Sequence, residues 1–223
     1  MNEYETEEQQ VAALKQWWKE NASSLIIGLF VGVTGLFGWR YYVDQNHNHF
    51  VQASDLYMQV AQNVMLNTVD DKTNDINNTL INDYSNTPYA ALSSLALAKA
   101  EYEKGNVDAA AAQLELAVKN ANDDVTKQIA NLRLASVYLE QKKFEEVSTL
   151  LSMTHDEAFD AHYEELKGDM HMAKGDIDQA RTAYDKAITL LGPAAGKWLK
   201  LKRKNLGSGQ DSASISSSLV LSA

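Results

Sequence analysis

The chain has 223 residues, a formal net charge of −10, two prolines and no cysteine. Without cysteine there are no disulfides, zinc-thiolate sites or thiol nucleophiles. An acidic balance argues against a general nucleic-acid role, which needs a basic face, so no nucleic acid is expected among the partners.

Residues 1–20 read as an amphipathic tail. In "TEEQQVAALKQWWKEN", Thr6 and Gln9 stand at capping-box spacing, and Glu7 and Glu8 fall where the helix dipole favours negative charge. Val11, Leu14 and Trp18 then share one face. Residues 21–43 read as a transmembrane helix. No side chain is charged from Asn21 to Trp39, and at 1.5 Å per residue that run covers roughly 28 Å, close to the thickness of a bilayer's hydrocarbon. Trp17 and Trp18 flank it on one side, and Trp39, Tyr41 and Tyr42 on the other, as in an interfacial aromatic belt. A cleaved signal has a basic leader and a small-residue cleavage site. Here "MNEYETEEQQ" is acidic and the run exits into Arg40, Tyr41 and Tyr42, so a retained anchor is expected. Lys15 and Lys19 lie on one side, with only Arg40 before Lys72 on the other, which favours a cytoplasmic N-terminus and an external remainder. Gly28, Gly32 and Gly35 share a face, and small residues let a second helix approach closely in lipid. They are the candidate transmembrane packing positions.

Residues 44–206 read as all-α, since no segment alternates apolar and polar residues as a half-buried strand does. Phe50, Leu56, Val60 and Val64, with Ala53, Tyr57 and Ala61, form one apolar stripe. After the polar break "NTVDDKTN", a short helix carries Ile76, Leu80, Ile81 and Tyr84. Thr87 then reads as an N-cap and Pro88 as the first helical residue.

A repeat follows. Gly105 precedes Ala110, Leu114 and Ala117 by the same offsets at which Gly175 precedes Ala180, Tyr184 and Ala187. Seven residues before each glycine stands a small residue, Ala98 or Gly168. A weaker copy puts Lys142 in the glycine's place, with Ala135 before it and Val147, Leu151 and Thr154 after it. Two antiparallel helices joined by a tight turn cross closely only where small side chains meet, and the bulky Leu or Tyr fills the gap to the next unit. This pattern resembles the tetratricopeptide repeat, whose helical hairpins stack into a solenoid. "PAAGKWLKLKRKNL" reads as a terminal capping helix, with Trp198 and Leu199 against the last repeat. The Ser-rich end, 207–223, is expected to be disordered.

The groove of such a solenoid is lined by the first helix of each hairpin. In this register Leu95, Lys99 and Tyr102 face it from one helix, Leu132, Ser136 and Leu139 from the next, and Glu165, Asp169 and Met172 from the third. Leu92 and Leu95 stand where a carboxylate clamp would need basic or amide residues. The groove is expected to be apolar with acidic edges, suited to a hydrophobic or basic segment of a partner.

No catalytic, metal or cofactor constellation stands out, and no enzyme is expected. His47 and His49 lack a third ligand nearby, and His155, His162 and His171 are expected within repeat helices as packing or surface residues. Adjacent acids such as Asp123/Asp124 and Glu145/Glu146 read as helix starts and solvated edges. The basic run of Lys197, Lys200, Lys202, Arg203 and Lys204 reads first as a complement to a helix C-terminus, with lipid-headgroup contact as the alternative.

The acidic leader, the Trp-Trp-Lys-Glu-Asn junction, the glycine-rich run ending in "GWRYY" and "INDYSNTPYAALSSLALAKAEYEKGN" resemble the YfgM family of ancillary subunits of the bacterial SecYEG translocon. The resemblance covers nearly the whole chain up to Leu206, and the Ser-rich end departs from it. It implies a single-pass inner-membrane protein with its repeats in the periplasm. The implied partners are the SecYEG translocon, a membrane-anchored prolyl-isomerase-like chaperone and exported client proteins. It also implies an alternative role, an envelope-stress regulator that sequesters a signalling protein through its cytoplasmic tail.

Overall fold

A computed structural model describes residues 7–207, with side chains from residue 9 onward. The Thr6 capping box and the Ser-rich end from residue 208 lie outside the described residues. Nine α-helices are present among these: α1 (Glu7–Met65), α2 (Asp71–Asp83), α3 (Pro88–Glu103), α4 (Val107–Asn120), α5 (Asp124–Glu140), α6 (Phe144–Leu151), α7 (Asp160–Lys174), α8 (Ile177–Leu191) and α9 (Lys197–Asn205). No strand occurs among the described residues. The chain divides into two units between Gln52 and Ala53.

In the first unit, α1 is long and apolar enough to cross a membrane. A core helix of a soluble domain hides its apolar face. Here Phe30 is 69% exposed and Phe37 is 71% exposed, and Leu25, Ile26, Leu29, Val31 and Leu36 are exposed with them. Polar side chains in the run turn to their own helix: Thr34 donates to the Phe30 carbonyl at 2.8 Å, and Asn21 to the Trp17 carbonyl at 2.9 Å. That is how a polar group is satisfied where no water is available.

The second unit is built from helical hairpins: the C-terminal end of α1 with α2, then α3 with α4, α5 with α6, and α7 with α8. The turns share one backbone solution. The Gly105 N–H donates to the Tyr102 carbonyl at 2.9 Å, and the Asn106 N–H to Glu101 at 2.9 Å. Lys142 and Lys143 donate to Leu139 and Tyr138 in the same way, and Gly175 and Asp176 to Met172 and His171. This pair of bonds is the Schellman closure, which needs a left-handed residue at its centre. Gly105 has φ +82° and Gly175 +84°, and Lys142 adopts φ +59° without being glycine. The α1–α2 turn repeats the scheme: Asn67, at φ +54°, donates to Val64 and Thr68 to Asn63.

The repeat positions pack as their spacing implies. Ala98, Ala135, Ala110, Leu114, Ala117, Val147, Leu151, Ala180, Tyr184 and Ala187 are all buried. Gly168 shows why a small residue is needed, because a Cβ there would fall onto the Tyr184 ring. The weaker copy is also shorter. α6 ends at Leu151, so Thr154 lies beyond it, exposed, and His155 is in a loop, stacked on the Tyr163 ring at 3.7 Å.

Three expectations need correcting. Thr87 is the N-cap of α3 with Pro88 following, but its hydroxyl donates backwards to the Tyr84 carbonyl at 2.8 Å instead of capping the helix. Phe50 is 42% exposed, and the buried face of this part of the chain is carried by Ala53 and Val60. Leu199 is buried against α8, whereas Trp198 is 69% exposed, because neighbouring positions on a helix face about 100° apart.

Candidate partner-binding groove

Adjacent first helices of the hairpins, α3 and α5, leave a cleft of about 350 Å³ between them. Leu95 and Ala98 of α3, Leu114 of α4 and Val137 of α5 form its apolar floor. Lys99, Tyr102, Arg133 and Ser136 form the rim. Leu95, Ala98, Leu114 and Val137 are all buried, so the floor is continuous with the central hydrophobic cluster. The rim is held by one bond between α3 and α5 and by bonds within each helix. Tyr102 donates to the Glu140 carboxylate at 2.7 Å, which holds the Tyr102 phenol above its ordinary pKa. Lys99 lies 3.6 Å from Glu103, and Ser136 donates to the Leu132 carbonyl at 2.9 Å.

Of the residues expected in the groove, Leu95, Lys99, Tyr102 and Ser136 stand together around this cleft. Leu132 and Leu139 are half-buried and pack against the central hydrophobic cluster. Glu165 and Asp169 are occupied from within the chain: Lys202 of α9 donates to them at 2.9 and 2.8 Å. Burial alone would lower the Lys202 pKa, but the two carboxylates outweigh it and raise it. Asp169 also accepts from Tyr184 at 2.7 Å, and burial together with that carboxylate pushes the phenol well up. Met172 is 46% exposed, without a place in the cleft.

Arg133, Ala98, Leu114 and Val137 are lining residues that the register argument passed over. Arg133 and Ser136 are three apart on one helix, so periodicity was the available signal. With Lys99 and Arg133 beside the cleft and Glu103 and Glu140 further along, the rim is of mixed charge, not acidic throughout.

Away from the cleft, the positions of Gly28, Gly32 and Gly35 are open, with no atom within 4 Å of where a Cβ would stand. Among the described residues, no three or more His, Asp or Glu side chains are grouped to hold a metal ion.

An exposed apolar helix and a stack of left-handed-turn hairpins define the class: a membrane-associated protein with tetratricopeptide-like repeats. Residues 15–208 match the family described as a tetratricopeptide repeat-like domain. A protein of Haemophilus influenzae is 32% identical over 200 residues, covering 90% of this chain and 97% of its own length. One of Escherichia coli is 31% identical over 209 residues, covering 92% and 99%. One of Aggregatibacter actinomycetemcomitans is 29% identical over 201 residues, covering 90% and 97%. All three are named ancillary SecYEG translocon subunits, and the chain belongs to that family. No solved structure matches it.

Proposed function

We propose that the protein is a non-catalytic scaffold of the Sec translocon, anchored in the bacterial inner membrane. Its N-terminus is cytoplasmic, residues 21–43 span the membrane, and the repeats of 44–206 lie in the periplasm. The carrying observation is end-to-end similarity to proteins named as translocon subunits, at 97% and 99% of their lengths. The exposed anchor offers the open Gly28, Gly32 and Gly35 face for lateral packing in lipid. The α3–α5 cleft supplies a docking point for the partners in the periplasm, a membrane-anchored prolyl-isomerase-like chaperone and the exported chains passed to it.

The test is purification of the full-length protein from native membranes in mild detergent, with SecYEG and co-purifying chaperones identified by mass spectrometry. Gly32→Leu with Gly35→Leu should lose the translocon. Tyr102→Glu with Ser136→Glu should keep the translocon and lose periplasmic partners. Both of those residues are exposed, so folding should survive. Recovery of neither translocon nor chaperone with the unaltered chain would refute the proposal. The alternative is a regulator that holds a signalling protein through its cytoplasmic tail, with the acidic leader of residues 1–10 as the holding segment. Deleting residues 1–10 should abolish that role and leave the scaffold intact.

A further inference from the structure

The five cations of α9 are divided by the fold into two groups with different surroundings. Lys202 and Arg203 turn inward. Lys202 bridges Glu165 and Asp169, and Arg203 makes a bidentate pair with Asp185 at 2.6 and 2.9 Å. With Leu199 buried and Leu206 packed beside it, they fasten α9 to α7 and α8. Lys197, Lys200 and Lys204 turn outward, exposed, with no ion pair among the described residues. Between them stand Trp198, 69% exposed, and Leu201, 44% exposed.

Complementing the helix dipole does not account for this outer group. Cations are favoured in the last turn, where Lys202, Arg203 and Lys204 sit. Lys197 is the first residue of α9, and Gly196 is its N-cap, so that charge opposes the dipole. Nor is this a face awaiting the rest of the domain, since α9 already buries its opposite side.

We infer that the outer face of α9 is a contact site for an anionic lipid surface. Lysines at a bilayer surface are drawn to acidic headgroups, and an indole ring settles at the headgroup layer. The chain is acidic overall at −10, and this cluster stands out as basic against it, so the complementary partner is negative. A helix in the same chain is apolar enough to be inserted in a membrane. Tethering turns a weak surface affinity into an intramolecular contact, so a nine-residue helix with two apolar side chains suffices. An acidic protein segment would satisfy the lysines, but the exposed indole and leucine between them favour the headgroup layer. The inference rests on the anchor and not on the translocon, so it stands or falls separately from that partner.

The absence of cysteine makes a clean test possible. Leu201→Cys in the full-length chain is labelled with an environment-sensitive fluorophore and reconstituted into vesicles of phosphatidylcholine alone or mixed with phosphatidylglycerol. Glu145→Cys on α6 serves as the control position. The expected result is a blue shift and protection from iodide at position 201, only with phosphatidylglycerol present, reversed by high salt. Lys197→Glu and Lys200→Glu together should abolish the shift while leaving the circular dichroism melt unchanged, since neither is paired and neither lies in the last turn. Equal signals in the two vesicle types would overturn the inference. So would a shift that appears only with an added acidic protein, or one that is lost on deleting residues 208–223 with lipid unchanged.

Discussion

The first and last hairpins of the repeat unit close with the same backbone turn and fill their interiors by opposite means. In the last, Gly168 lets the Tyr184 ring lie against the α7 backbone, with Ala180 and Ala187 on either side, all buried. In the first, Val60 takes the small residue's place and the facing helix brings Thr73, Asn77 and Leu80, each at most 1% exposed. The polar groups there are partnered. Asn63 donates to Thr73 at 3.0 Å, Thr73 and Asp70 form a reciprocal cap, and Asn77 donates to Gln113 at 3.2 Å. Ser94 shares its hydroxyl between Asn77 at 3.4 Å and the Ala90 carbonyl at 3.1 Å. The hairpin geometry is thus compatible with an apolar close approach or with a buried polar network. Only the first leaves a small-residue signature in the sequence.

The largest expected effect comes from breaking the close approach. Gly168→Ala should destabilise the repeat unit by about 3 kcal/mol, from overpacking against Tyr184, lowering the melting temperature by roughly 6–12 °C. Adding Tyr184→Leu should recover part of that loss, and a calorimetric double-mutant cycle reads the coupling. Additive losses would mean the two do not meet.

Asn77→Ala should cost about 2 kcal/mol in urea unfolding, because Gln113 and Ser94 lose a buried partner. Asn77→Leu, which imports the residue found at the matching position Leu114, should cost less than the alanine change. An equal or larger loss would show that the polar network is needed by the geometry and is not a substitute for apolar packing.

Alkaline pH separates the regions differently. Burial, the 2.6 Å bond to Glu115 and the charge of Glu146 raise the Tyr138 phenol to about 12. The folded state favours the neutral phenol, so this contribution is complete below pH 10 and is lost as pH rises from 10 to about 12. Tyr138→Phe should flatten that part of the stability–pH curve by about 1 kcal/mol after allowing for solvent screening. An unchanged curve would show that other groups control it.

The smallest effect concerns the turns. Lys142→Gly should stabilise by about 1 kcal/mol by relieving a left-handed backbone, and Gly175→Ala should destabilise by a similar amount. Thermal melts that shift both variants in the same direction would contradict a shared turn geometry.

The apolar run, the period and the position of the Lys142 turn were legible because each rests on spacing, which a substituted residue does not erase. The Asn67 turn was not. α2 begins at Asp71, later after its turn than α4 begins after Gly105, so the buried positions shift to Thr73, Asn77 and Leu80 and fall out of register. Two of them are polar, which an apolar pattern cannot register. Leu95, Lys99, Tyr102 and Ser136 share the helical phase that lines the cleft, while Leu132 and Leu139 are half-buried against the central cluster. The pairing of Glu165 and Asp169 with Lys202 joins residues more than thirty apart, and no local pattern encodes it. Trp198 was misplaced because burial on a nine-residue helix depends on one angle that composition leaves free.

The central claim is that the anchor packs beside the translocon while the repeats hold partners outside the membrane. It is tested most directly by photocrosslinking in native membranes from probes at Gly28, Gly32 and Gly35, with a further probe at Tyr102, read by mass spectrometry. The account predicts SecYEG crosslinks from the glycine positions, and an anchored chaperone or exported chains from Tyr102. Crosslinks confined to further copies of this chain, or to a soluble cytoplasmic regulator, would contradict it.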